Sequence, residues 1–200
     1  MIHSTTVIDL LRHGQPEGGR MYRGGGTDHV LSEAGWEHMH SSIDERAEKR
    51  DTDWDVIISS PMLRCKEFSQ HLAEERNIPI KVIENLREAG YGSWEGKTPE
   101  EIQADGEDEY WEFFADPVNN RPSNAEPLEF FTPRINEVFG DILTQYQGQH
   151  VLLVSHLAVT RAIIGIILRM PLASQQLIDM PFGGMLRVIN DRKGLRLLLL

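Results

Sequence analysis

The sequence predicts an α/β protein, a three-layer sandwich in which a mostly parallel central sheet is flanked by helices. Two observations predict it: short apolar runs with β-branched residues alternate with amphipathic stretches of helical period, and three of those runs end in a cationic or titratable residue. Val7-Ile8-Asp9-Leu10-Leu11 runs straight into Arg12-His13-Gly14, Val56-Ile57-Ile58-Ser59 leads within a few residues to Arg64, and Val151-Leu152-Leu153-Val154-Ser155 leads at once to His156. In a parallel sheet the carboxyl ends of the strands share one edge, and ligands collect beyond it. Arg12, His13, Arg64 and His156 therefore fall together on one edge, and such a cluster suits a phosphate.

Each element has its own local reason. Residues 15–30 are crowded with glycine and carry Arg20 and Arg23, so this stretch is either a surface connection or a loop whose backbone N–H groups, Gly24 among them, approach an anion closely. Ser32 reads as the N-cap of a helix running to about Lys49, with Trp36, Met39 and Ile43 on its apolar face. His38 and His40 on that helix are two apart and do not share a face, which argues against a metal pair. After the strand Val56–Ser59, Ser60 reads as an N-cap and Pro61 as the first helical residue. Arg64 then lies in the first turn, where unpaired N–H groups favour an anion. That helix continues through Phe68 and Leu72 to about Arg76 and carries Cys65, which reads as a buried thiol.

Ile80 to Ile83 reads as a third strand, and residues 84–96 as irregular. Thr98-Pro99-Glu100-Glu101 is a capping box with proline at the first helical position. An aromatic helix around Tyr110, Trp111, Phe113 and Phe114 ends at Asp116-Pro117, and its rings are expected in the core. A longer helix from Leu128 to about Tyr146 leads into the strand at Val151, and Leu157 to Leu168 forms a strongly apolar helix. Met185–Ile189 and Leu195–Leu199 close the chain as a pair of strands.

Length and composition set outer bounds. A chain of 200 residues without a linker or repeat is expected to form a single domain over 1–200. Its net charge of −11 argues against non-specific binding to nucleic acid or an anionic membrane, so an anionic substrate has to be attracted locally. No run reaches the length of a membrane span, and the N-terminus lacks the basic start and apolar core of a secretory signal, so the cytoplasm is the expected compartment. The single cysteine excludes an internal disulfide.

With these residues placed, the sequence resembles the histidine phosphatase superfamily, whose fold is phosphoglycerate mutase-like. Leu11-Arg12-His13-Gly14 matches that family's signature, and Gly26-Thr27-Asp28 with Leu31-Ser32-Glu33-Ala34-Gly35 resembles its G-x-D-x-x-L-[ST]-x-x-G segment. Ser59-Ser60-Pro61-Met62-Leu63-Arg64-Cys65 is similar to S-S-P-x-x-R-[AC], Leu86-Arg87-Glu88 with Gly92-Ser93-Trp94-Glu95-Gly96 to L-x-E-x-x-x-G-x-W-E-G, and Val154-Ser155-His156 to the final V-[ST]-H. The resemblance implies that neutral His13 attacks phosphorus to give a phosphohistidine. Arg12, Arg64 and His156 hold the phosphoryl oxygens, and Glu88 protonates the leaving group, with Glu95 as the rival acid. Neither a metal nor another cofactor is implied. The expected partner is a small phosphorylated substrate, and no oligomeric state is implied.

The departures are specific. Mutases of the family carry R-H-G-E-S-x-W-N, whereas Gln15, Pro16 and Gly19 stand where Glu, Ser and Asn would fall. The segment Tyr22-Arg23-Gly24, with Gly35-Trp36, Asp116-Pro117 and Ala125-Glu126, resembles the α-ribazole phosphatase branch, which makes α-ribazole 5′-phosphate a candidate substrate and places Arg23 and Gly24 beside it. Leu157 replaces the glycine usual after the second histidine and is expected beside the phosphate site, where it either narrows the pocket or turns into its own apolar helix. A phosphomonoesterase, a phosphoglycerate mutase-type phosphotransferase and a phospholigand-binding regulator that has lost activity are the three classes this pattern leaves open.

Overall fold

The computed structural model describes residues 4–48 and 52–199. Six strands form one mixed sheet: β1 (Thr6–Arg12), β2 (Val56–Ser59), β3 (Ile80–Val82), β4 (His150–Ser155), β5 (Met185–Asp191) and β6 (Gly194–Leu199), in the order β3-β2-β4-β1-β5-β6. The pairings β3–β2, β2–β4 and β4–β1 are parallel, whereas β5 lies antiparallel to β1 and β6 antiparallel to β5. A short turn between β5 and β6 permits only an antiparallel hairpin, while the parallel pairs require the helical crossovers that the alternating sequence supplies.

Both faces of the sheet are covered, so its central strands are nearly continuous apolar runs. One face buries Ile8, Leu10, Ile58 and Leu153 against α5 (Leu128–Gln145) and α6 (Leu157–Leu168). The other buries Leu11, Ile57, Leu152 and Val154 against α1 (Glu33–Glu48) and α2 (Leu63–Arg76). The register sets Arg12 opposite Ser155 and Ser59 opposite Val154, so the strand ends that lead to His13, Ser60 and His156 lie level.

Two helix starts follow the expected chemistry. The Ser32 hydroxyl accepts from the Gly35 N–H at 3.1 Å, and the far end of α1 expected near Lys49 lies outside the described residues. At α3 (Pro99–Asp105) Thr98 and Glu101 exchange both bonds of a capping box, at 3.2 and 2.8 Å. The start of α2 differs. Ser60 and Pro61 precede the helix, Met62 holds the cap position, and the carboxylate of distant Asp28 accepts the Leu63 N–H at 2.7 Å.

The aromatic helix α4 (Glu107–Ala115) divides its rings. Tyr110 and Phe113 are buried with Trp94 and Ile102 in a small separate cluster, but Trp111 and Phe114 are exposed, because a helix this short presents only one stripe to its neighbours. The third strand stops at Val82, one residue short of the expected end, and a short helix α7 (Leu172–Gln175) lies in a stretch without a sequence signal strong enough to announce it. Among the described residues, no helix is long and apolar enough to cross a membrane.

One polar network interrupts the apolar sheet. Asp9 in β1 is fully buried and accepts from the Trp54 indole at 2.9 Å, from His150 Nε2 at 2.9 Å, and from Arg187 Nε and Nη2 at 2.7 and 2.9 Å. Burial alone pushes its carboxyl up, and these donors more than offset that, leaving a pKa of about 2 against an ordinary 3.8. Because the folded pKa is the lower one, the stabilisation is present above pH 3.8 and is lost as pH falls toward 2. Asp9→Asn is expected to cost about 3–5 kcal/mol by removing the buried negative charge that accepts from Arg187, His150 and Trp54. Chemical denaturation across this acid range checks it, since the variant should also lose this component of the wild type's pH dependence.

Candidate active site

His13 follows the last residue of β1, and its backbone N–H continues the ladder to the Ser155 carbonyl at 2.9 Å. Its ring nitrogen Nδ1 lies 2.7 Å from the Gly14 carbonyl. A carbonyl can only accept, so Nδ1 carries the hydrogen and Nε2 is left with its lone pair. Arg64 Nε donates to that Nε2 at 3.3 Å. Burial, and then the charges of Arg64, Arg12 and Arg23, hold the imidazole well below the ordinary 6.5, which outweighs the opposing pull of the Gly14 carbonyl. His13 is thus neutral and oriented, with its basic lone pair on Nε2. Gly14 is glycine for a steric reason: a Cβ there would come within 2.7 Å of the Gly35 Cα on α1.

Arg64, in the first turn of α2, is completely buried. Its guanidinium donates to the carbonyls of Thr27 at 3.0 Å and Gly24 at 3.4 Å, and Asp28 lies 3.9 Å away. Asp28 therefore serves both the start of the helix and the charge mounted on it. The loop that supplies these carbonyls is held by Glu95, which accepts from the Gly26 N–H at 3.2 Å, the Thr27 hydroxyl at 2.8 Å and the Tyr91 N–H at 3.1 Å. With these bonds made, Glu95 braces the loop from outside the cavity that His13 faces.

His156 caps α6 and is fully buried. Its Nε2 pairs with the Ser60 hydroxyl at 2.6 Å, and its ring stands 5.2 Å from that of His13. Burial, followed by Arg64 and His13, pushes its pKa well below 6.5, so it too is neutral. The Cys65 thiol lies 3.7 Å from His156 Nε2, and burial pushes it far up, so no thiolate forms there. The sequence-based reading of a buried, unreactive thiol agrees with this.

Glu88 lies across the cavity from these residues. One carboxyl oxygen accepts from its neighbour's Ala89 N–H at 2.9 Å and the other from the Ala158 N–H, in the first turn of α6, at 3.3 Å. Burial raises its pKa, against the lowering pull of those two N–H groups and of Arg64 and Arg12. Arg12 donates to the Met180 carbonyl and stacks on Phe182, 4.4 Å from the ring centroid. Its buried Nε has no protein partner among the described residues.

Arg12, His13, Arg23, Glu88, Leu157 and Phe182 line one cavity of about 140 Å³. Arg64 and His156 sit directly behind His13, fully buried, and contribute from there. Leu157 does both things its position allowed, packing against the large apolar cluster while lining the cavity. Arg23 reaches the cavity with its guanidinium tied to His29 at 3.1 Å and to the Glu17 carbonyl. Gly24 lies outside the wall of the cavity, contrary to its expected place beside the substrate. It packs so closely that a Cβ would come within 2.6 Å of the Ala89 oxygen and 2.7 Å of the Tyr91 nitrogen. Among the described residues, no group of three or more His, Cys, Asp or Glu side chains is arranged to hold a metal ion.

Residues 8–200 match the family model described as histidine phosphatase superfamily, branch 1. The chain belongs to the histidine phosphatase superfamily. Among individual relatives it is 26% identical to an adenosylcobalamin/α-ribazole phosphatase of Salmonella typhimurium over 62% of each chain. It is 28% identical to the uncharacterized phosphatase PhoE of Bacillus subtilis, over 80% of this chain and 76% of that one. The match thus spans less than two thirds of the Salmonella protein's length. Among solved structures, Bacillus stearothermophilus YhfR superposes with a TM-score of 0.86 at 24% identity, covering 97% of this chain and 96% of that one. That likeness establishes the phosphoglycerate mutase-like fold.

Three contributors to the site were given no part in it by the sequence reading. Phe182 stacks on Arg12, Ser60 pairs with His156, and Asp28 serves Arg64 and the helix start. Asp28 and Ser60 stood inside quoted motifs, so their presence was visible and their partners were not; Phe182 had no motif at all. The close packing of Gly24 provides a check. Gly24→Ala is expected to lower stability by about 1–3 kcal/mol, as overpacking does. A fall in Tm of about 2–4 °C per kcal/mol, followed by thermal denaturation, reads that loss in a chain of this size.

Proposed function

We propose that the protein is a phosphomonoesterase working through a phosphohistidine on His13, within one domain over residues 1–200, on a small phosphorylated metabolite. The observation that carries this reading is the state of His13: neutral, with Nδ1–H spent on Gly14 and the Nε2 lone pair accepting from Arg64 Nε at 3.3 Å, a donor that an incoming phosphoryl oxygen takes over, beside a cavity that Arg12 and Arg23 line. Nε2 attacks phosphorus, the bond to the ester oxygen breaks, and Glu88 gives its proton to the departing alkoxide. Water then attacks the phosphohistidine, the P–N bond breaks, and the Glu88 carboxylate takes the water's proton, which returns both groups to their starting state. Arg12, Arg64 and His156 stabilise the phosphoryl oxygens, the arginines as permanent charges in a desolvated site. The orphaned Nε of Arg12 supports a donor reserved for such an oxygen.

Hydrolysis is favoured over mutase-type transfer by Pro16, which lines the cavity where the mutases carry serine and has neither an N–H nor a polar side chain to hold a second anionic group. A neutral His13 and a Glu88 carboxyl whose pKa burial raises, both on one cavity, argue for a working site over a regulator without activity, which needs only the cavity. α-Ribazole 5′-phosphate is a candidate substrate, supported by the name of the Salmonella relative.

His13→Ala should abolish turnover and also prevent transfer of labelled phosphate to the protein. Rapid quench of wild type and variant into alkaline detergent, which preserves the acid-labile P–N bond, makes the comparison, and labelled variant would remove His13 from the nucleophile's role. Glu88→Gln should slow alkyl phosphates by about 10²–10⁴-fold, the worth of a general acid, while leaving intact the initial burst of nitrophenol from nitrophenyl phosphate, whose leaving group needs no proton. Because burial raises the pKa of Glu88, the acid form persists above the ordinary carboxyl range and is lost as pH rises. The alkaline fall in kcat for alkyl esters should therefore vanish in Glu88→Gln.

A further inference from the structure

Glu88 rides on a segment that belongs to no strand or α-helix: one short turn, Glu84–Leu86, precedes it, and another, Gly92–Trp94, follows. Leu86 and Ala89 anchor the segment in the large apolar cluster. Apolar burial is non-directional, so these anchors hold the segment down without fixing where the carboxyl between them points.

The direction comes from outside the cavity. Arg134 on α5 donates through Nη1 to the carbonyls of Asn85 at 2.7 Å and Arg87 at 3.2 Å. Its Nε lies 3.1 Å and its Nη2 2.9 Å from Glu126 Oε1, and Nη2 lies 2.8 Å from Oε2, so the remaining prongs of the guanidinium grip the Glu126 carboxylate. Glu126 in turn accepts the Gly90 N–H at 3.4 Å, and its own N–H donates to the Gly90 carbonyl at 3.0 Å, which Arg121 Nη2 also reaches at 2.8 Å. Asn85, Arg87 and Gly90 bracket Glu88, so the backbone is held on both sides of the acid.

The ion pair is not needed to seat α5, which buries its own stripe of Leu128, Phe131, Ile135, Val138, Phe139 and Ile142. Arg134 and Glu126 are only 21% and 27% exposed, and a planar fork can serve two carbonyls and a carboxylate at once, which a lysine ammonium cannot. We propose that Arg134 and Glu126 form a clamp that aims Glu88 at the leaving group, as positioning residues that act on the reaction through this carboxyl alone. The inference rests on the phosphomonoesterase reading above and adds how its acid is held. Proton transfer requires the carboxyl within hydrogen-bond reach of the departing oxygen. A loosened segment would also admit water to Glu88 and remove the burial that keeps it protonated.

Kinetics on an alkyl phosphate and on nitrophenyl phosphate test the clamp in Arg134→Met, Glu126→Gln, Glu88→Gln and the double variant Arg134→Met/Glu88→Gln. Arg134→Met should lower kcat for the alkyl ester by about tenfold to 10²-fold, the scale of a misplacement of about 1 Å, with KM little changed. The alkaline fall in that kcat should move to lower pH, because a solvated Glu88 gives up its proton earlier. The first release of nitrophenol should keep its wild-type rate, which also reports a folded variant with a working nucleophile. Glu126→Gln keeps an acceptor for Gly90 and should show the same pattern at smaller size. In the double variant the loss should equal that of Glu88→Gln alone, since residues acting through one carboxyl are not additive once it is gone.

A first release of nitrophenol slowed as much as the alkyl ester, an alkaline limb that does not move, or a double variant slower than Glu88→Gln by the whole Arg134→Met factor overturns the clamp and leaves the phosphatase reading standing. Should Arg134→Met fail to fold, Glu126→Gln, alone and combined with Glu88→Gln, carries the same comparisons. If the wild type hydrolyses neither ester, the phosphatase reading falls and the clamp with it.

Discussion

A fully buried guanidinium is the constraint on which the rest of this site depends. Arg64 has no carboxylate in direct contact, since Asp28 stands 3.9 Å away, and a buried charge without compensation is strongly destabilising. Compensation comes from the carbonyls of Thr27 and Gly24, which belong to a loop that Glu95 holds by accepting from Gly26 and Thr27 while tying it to Tyr91. The segment containing Trp94 and Glu95 thereby governs a charge on a helix far from it in sequence. The same charge helps keep His13 and His156 neutral, so the electrostatics of the nucleophile are set by how well this loop is braced.

Much of this was legible because it is written locally. Strand ends are marked by where an apolar run meets Arg12, Ser59 or His156, and once the sheet is parallel those ends must lie together. Thr98 and Glu101 announce their helix within four residues, and Ser32 does the same for α1. Glu88 could be assigned an acid's role from its motif, and its burial and raised pKa agree with that role.

What stayed hidden depends on partners distant in sequence. Ser60 has the composition of a helix cap, yet its hydroxyl pairs with His156, and the cap of α2 comes instead from Asp28 on another loop. Gly24 stands among glycines that look alike in sequence. Only the packing distinguishes the one whose missing side chain lets two backbone segments touch. The division of α4 into buried Tyr110 and exposed Phe114 is likewise a matter of what lies opposite each ring, which helical period alone does not contain.

The bond from Ala158 to Glu88 ties the protonation of that carboxyl to the start of α6. A carboxyl that only burial controlled would hold its proton too firmly, and one fully paired with donors would never regain it. Here the apolar surroundings favour the neutral acid, while the open end of a helix stands ready to receive the negative charge left when the proton departs. The two tendencies oppose each other within a single side chain, so neither state is a trap. Helix α6 begins beside His156 and ends in apolar packing, and it thus acts as a shock absorber for charge, yielding at one end while its other end is anchored in the core.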